Sequence, residues 1–150
     1  TVLIVVCLCG CQPAGSESRR TVPSLSKHVR RYDLPTGVLF VLDSDAFLHP
    51  VTGRLQMGAV RELDPVIRFA RGHVHDVIRI RAFGGHGRVL ADEREVLAFQ
   101  AESLAAYMWY RGLNPNRLHY EEGVMHDDSL PVQPTLEASR RLVTIRFCSV

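Results

Sequence analysis

Three cysteines crowd the start of this 150-residue chain, Cys7, Cys9 and Cys11, and a fourth, Cys148, lies near its end. Thiols this close can bind a soft metal or accept a covalent group. A tetrahedral metal site needs a matching His or Cys pair, and none follows downstream at ligand spacing. Three cysteines at one end also make no disulfide framework for a globular fold. The histidines supply the other candidates. His73-Val74-His75-Asp76 alternates its imidazoles as strand-borne metal ligands would, but it equally fits a solvated strand start, the simpler reading. Met125-His126-Asp127-Asp128 places a base beside two carboxylates, the makings of a metal or acid–base cluster. Gly84-Gly85-His86-Gly87 has neither the GxGxxG spacing nor the Lys-Ser/Thr of a phosphate loop. No serine sits in a nucleophile elbow. Trp109-Tyr110 reads as packing near a helix end rather than as a binding platform. The expectation is a protein with no catalytic residue, no metal and no cofactor.

Composition narrows the class. The chain is 46% hydrophobic and 23% charged, enough for the core of one domain and too apolar for disorder. A net charge of +2, with arginines scattered rather than gathered in a stripe, argues against a nucleic-acid partner. Cys148 reads as an unpaired tail thiol, able to bridge two molecules only in an oxidising compartment.

Residues Val2 to Cys9 are apolar and uncharged. The run falls short of the ~20 residues that span a bilayer, but it fits the hydrophobic region of a secretory signal. No basic residue or initiator Met precedes it, so the numbering is expected to begin inside that signal. Leu8-Cys9-Gly10-Cys11 resembles the lipobox of bacterial lipoproteins, in which an aliphatic residue and two small ones precede an acylated cysteine. That resemblance implies cleavage before Cys11 and a lipid on its thiol. Each buried CH₂ contributes about 0.8 kcal/mol, so several acyl chains on one cysteine make a stable anchor. Gln12 stands where lipoproteins retained in the inner membrane commonly carry Asp, which implies outer-membrane delivery. The expected organisation is a signal remnant at 1–10, a lipidated N-terminus and tether at 11–36, and a domain at 37–150.

Within the domain, Gly37 to Leu42 is a β-prone run closed by Asp43-Ser44-Asp45. Leu55, Leu63, Val66, Ile67 and Ala70 recur at helical spacing, with Pro65 interrupting or restarting the helix. Val74 to Phe83 alternates as a second strand. Asp92 to Arg111 is the strongest helix: Asp92 and Glu93 open it, Gly112 follows it, and Val96, Leu97, Leu104, Ala105 and Met108 form its apolar face. Arg117 to Glu121 and Leu142 to Phe147 complete the strands. The predicted class is α+β, in the order β-α-β-α-β-β, with two helices packed on one small mixed sheet.

Residues 37 to 147 resemble the C-terminal OmpA-like domain of peptidoglycan-associated lipoproteins. Val38 through Leu48 is similar to that family's opening strand and "F-D-S" turn, and Ile80-Arg-Ala-Phe-Gly-Gly85 to its "G-H-T-D" strand end. Ala101 through Leu113 resembles its "R-A…V…L…G-I" helix, Tyr120 to Gly123 with Pro131 its "G-Y-G…P", and Arg140-Arg141-Leu-Val-Thr-Ile145 its terminal "N-R-R-V-E-I" strand. The resemblance makes the Met125–Asp128 region a surface loop. It implies a groove for the peptidoglycan stem peptide, where an Asp takes the diaminopimelate ammonium and an Arg clamps its carboxylate. On this sequence the Asp falls on Gly85, the Arg on Gln100 and the family's loop Asn near Glu93, while Arg141 keeps an arginine of the terminal motif. Two lost charged contacts, at about 1.5–3 kcal/mol each, would weaken binding on the order of a hundredfold to ten-thousandfold. The expectation is a non-enzymatic, lipid-anchored outer-membrane protein facing the periplasm. Its degenerate domain would dock among envelope proteins, with a type IV secretion core of the Dot/Icm type as one setting the resemblance implies. The alternative is a working anchor between outer membrane and peptidoglycan.

Overall fold

The computed structural model describes residues 25–84, 91–122 and 141–149. Five strands form one sheet: β1 (Val29–Leu34), β2 (Gly37–Asp43), β3 (Val77–Phe83), β4 (Leu118–Glu122) and β5 (Leu142–Cys148). Their spatial order is β1-β2-β5-β3-β4. β5 lies antiparallel between β2 and β3, β1 pairs antiparallel with β2, and β3 and β4 run parallel. A parallel neighbour needs a crossover, and the long helix α3 (Ala91–Tyr110) supplies it. A single turn, α1 (Ser44–Phe47), follows β2, and α2 (Asp64–Gly72) precedes β3. This is the α+β arrangement expected, with two main helices on one small mixed sheet.

One expectation is corrected. The tether was expected to reach residue 36, yet residues 29–34 pair in register with β2, from Val29 opposite Leu42 to Leu34 opposite Gly37. Arg30, Arg31 and Asp33 make the segment read as polar, but charges suit an edge strand, which they protect from further pairing. Only Val29 of this strand is fully buried. The β1–β2 turn closes at Gly37, whose φ of +137° and contact with the Phe147 carbonyl leave no room for a Cβ.

Alternation sorts each strand into two faces. Phe40 and Leu42, Ile78, Ile80 and Ala82, and Val143, Ile145 and Phe147 join one buried cluster with the helices. α2 contributes Val66, Ile67 and Ala70, and α3 contributes Leu97, Ala101, Leu104, Ala105 and Met108. Phe69 of α2 meets Phe40 and Phe147 edge-on, with ring centroids 5.4 and 4.9 Å apart. Pro65 starts α2 rather than breaking it, because the missing N–H has no partner in a first turn; a 3₁₀ turn at Val60–Leu63 leads in.

Arginines lock the helix ends. Arg117 donates to the carbonyls of Asp76 (2.8 Å), Ala70 (3.5 Å) and His73, capping the end of α2. Arg111 Nη1 donates to Asp64 Oδ1 at 2.8 Å and to the Tyr107 hydroxyl, joining the end of α3 to the start of α2. The bond to Asp64, then that to Tyr107, raises the Arg111 pKa above its ordinary value. Its contribution is therefore present at neutral pH and is lost as pH rises through that raised value. No helix among the described residues is long and apolar enough to cross a membrane.

Candidate functional site

The groove implied by the sequence would lie where β2, the end of β3 and the first half of α3 converge. Ser44 leaves β2 fully buried, tied by its N–H to the Arg141 carbonyl at 3.0 Å. Its Oγ donates to Gln100 Oε1 at 3.3 Å. Gln100 is itself 0% exposed, and its Nε2 has no hydrogen-bond partner among the described residues. Position 100, where the resemblance in sequence would place an arginine, thus faces the interior.

What closes the site is the segment after α1. Leu48 bridges to Leu55, and His49 Nδ1 accepts from the N–H groups of Val51 (3.3 Å) and Thr52 (3.2 Å), folding the segment tightly. Gly53, at φ +66°, turns it onto α3. A Cβ there would lie 3.0 Å from Phe99 Cδ1, 3.2 Å from the Val96 carbonyl and 3.3 Å from Gln100 Cγ. Only glycine combines that backbone conformation with so close an approach. Arg141 holds the loop from the far side, its Nη1 donating to the Pro50 carbonyl at 2.9 Å. Arg141 and Gln100 therefore meet around one loop, as its clamp and its floor.

Glu93 stands in the first turn of α3, half-buried, against the end of β3. A Cβ on Gly84 would fall 2.7 Å from Glu93 Oε1, so a carboxylate borders this strand end. Gly85 lies outside the described residues, as do Cys11 and the Met125–Asp128 cluster. Beside the closed site runs a groove of about 370 Å³, lined by Thr52, Arg54, Glu95, Val96 and Phe99. A second concavity, about 500 Å³, opens beside β3 and β4, lined in part by Arg79, His119 and Glu121.

The histidine motif is a turn rather than a strand start. His73 stacks on Phe69 with centroids 3.8 Å apart and its Nδ1 lies 2.9 Å from the Phe69 carbonyl, so its ring is engaged in packing. Asp76 closes the turn through its N–H to the His73 carbonyl at 3.2 Å. Among the described residues no group of three His, Cys, Asp or Glu side chains could hold a metal. Trp109 and Tyr110, expected to pack, are 61% and 84% exposed. Positions 99, 106, 109 and 110 share the face opposite Leu97, Leu104 and Met108, and because α3 is apolar on both sides its phase does not mark that face as exposed. Arg54 was also missed, because its part in a groove depends on the fold of the loop.

No family model matches the chain, and no curated protein matches it in sequence. Solved structures match its fold. The OmpA-like domain of FopA1 from Francisella tularensis superposes with a TM-score of 0.56 at 12% identity, covering 92% of each chain. The fold is that of an OmpA-like domain. The periplasmic domain of Helicobacter pylori MotB matches this chain with a TM-score of 0.65 at 14% identity over 88% of each. The cell wall anchor of the T6SS from Pseudomonas aeruginosa gives 0.62 at 13% identity, covering 81% of this chain and 89% of that one.

Proposed function

We propose that the chain is a non-enzymatic outer-membrane lipoprotein whose OmpA-like domain is a docking subunit of a cell-envelope complex. The observation that carries this reading is the burial of Gln100. Gripping a ligand carboxylate needs an exposed guanidinium; here an amide occupies that position, covered by the 48–56 loop and bonded to Ser44. A fold kept while its ligand contact is closed over is suited to holding proteins together. A type IV secretion core of the Dot/Icm type is the assembly we propose for it, from the resemblance in sequence.

Anchorage belongs to the same proposal. Cys11 carries the lipid, and the residues after it tether the domain to the periplasmic face of the outer membrane. Cys11→Ser should release the protein from the membrane fraction. Extracted gently from membranes, the wild-type chain should elute with other envelope proteins in a fixed stoichiometry. Elution as a free chain, recovered quantitatively with the cell wall, would overturn the docking role.

The second reading is a peptidoglycan anchor. It draws support from the fold likeness to a cell wall anchor and from the opposite charges of Arg54 and Glu95 along one groove. These charges match in kind the carboxylate and ammonium of diaminopimelate.

A further inference from the structure

The face of the sheet turned away from the helices carries a row of cations. Ile78, Ile80 and Ala82 of β3 pack into the core, so the alternate residues Val77, Arg79 and Arg81 stand on the opposite face. Register places Arg79 directly between Arg146 of β5 and His119 of β4. Neighbouring strands lie about 4.8 Å apart, so the three side chains rise from a span of about 10 Å. Like charges directly opposite one another destabilise a sheet, and the surroundings do not answer this pair of arginines. Arg146 is held by Thr36, its Nη2 donating to the hydroxyl at 2.8 Å. Glu121, the carboxylate next along this face of β4, is drawn to Arg81, whose Nε donates to its Oε1 at 2.7 Å. Arg79 and His119 are both exposed, with no hydrogen-bond or ion-pair partner among the described residues. The concavity of about 500 Å³ opens at these two residues.

We propose that this concavity binds a phosphate group, held by Arg79 and His119. A guanidinium donates two parallel N–H bonds to an oxyanion, and an imidazole offers a donor nitrogen whether neutral or protonated. The two residues rise from adjacent strands at the same level, so their donors approach one anion from two sides. Arg146 adds positive charge beside them without contact, because its head is turned to the β1–β2 turn. A phosphate dianion answers the charges of both arginines, where a carboxylate answers one. The volume admits a phosphate with a small organic group attached. The ligand is therefore a soluble phosphate ester or the headgroup of an anionic phospholipid. The site lies across the sheet from Gln100 and is independent of the docking role.

NMR spectra of the full chain in uncharged sugar-detergent micelles are followed while inorganic phosphate replaces chloride at constant ionic strength. The site predicts saturable shifts at the Arg79 and His119 amides and at the Arg79 Nε–H, with a dissociation constant of about 1 mM. In a second arm, phosphatidylglycerol is added to the micelles instead of free phosphate. Shifts with inorganic phosphate assign a soluble ligand, and shifts with phosphatidylglycerol alone assign a lipid headgroup; either sustains the site. Arg79→Gln and His119→Gln, both at exposed positions, should each weaken binding about tenfold or more while the rest of the spectrum stays native. No saturable shift in either arm, or shifts that both substitutions leave unchanged, would overturn the proposal.

Discussion

Ser44 Oγ donates to Gln100 Oε1 across 3.3 Å, and both side chains are fully buried. The bond joins the start of α1 to the middle of α3, beneath the loop that Gly53 turns and Arg141 clamps. It leaves Gln100 Nε2 without a partner among the described residues, so the position is only partly satisfied. The side chain of residue 100 is thus enclosed within the domain.

An arginine at position 100 should therefore not be accommodated without cost. Gln100→Arg places a charge in a fully enclosed position and should destabilise the domain by about 3 kcal/mol or more. Urea unfolding checks this. A variant as stable as the wild type would mean that the loop opens readily.

The polar pair should be dispensable together but not singly. Gln100→Met removes the acceptor and strands the Ser44 hydroxyl, costing about 1–3 kcal/mol. Adding Ser44→Ala should recover most of that loss, since removing both partners of a buried hydrogen bond is nearly neutral. A double-mutant cycle measures the coupling.

Gly53→Val should act on the loop. A β-branched residue at φ +66° is strained by ~1–2 kcal/mol, and its Cβ presses on Phe99. Hydrogen exchange should show lost protection at the Gly53 and Gln56 amides, which now bond the His49 and Phe47 carbonyls.

Phe147→Ala tests the core. Phe147 is fully buried and meets Phe40 and Phe69 edge-on, so truncation should cost about 3–5 kcal/mol in denaturant unfolding.

The elements legible in the sequence were those whose pattern is local. β2 and β5 announce themselves as β-prone apolar runs, and α3 by acidic residues at its start and Gly112 after its end. β1 was hidden because Arg30, Arg31 and Asp33 belong to an edge strand, where burial is one residue deep. That position 100 carries an amide is plain in the sequence, whereas its burial is not. That burial depends on Gly53 and on Arg141, far away in the chain, meeting over one helix. The exposed face of α3 escaped for a related reason: a helix apolar on both sides gives no phase from which to tell inside from outside.

The proposed docking role requires that the domain bind peptidoglycan weakly, with the enclosed amide of Gln100 offering no grip. The decisive measurement is co-sedimentation of the purified chain with isolated peptidoglycan sacculi, with and without free diaminopimelate. Little retention and no response to the competitor are expected. Strong retention that diaminopimelate abolishes would contradict that role.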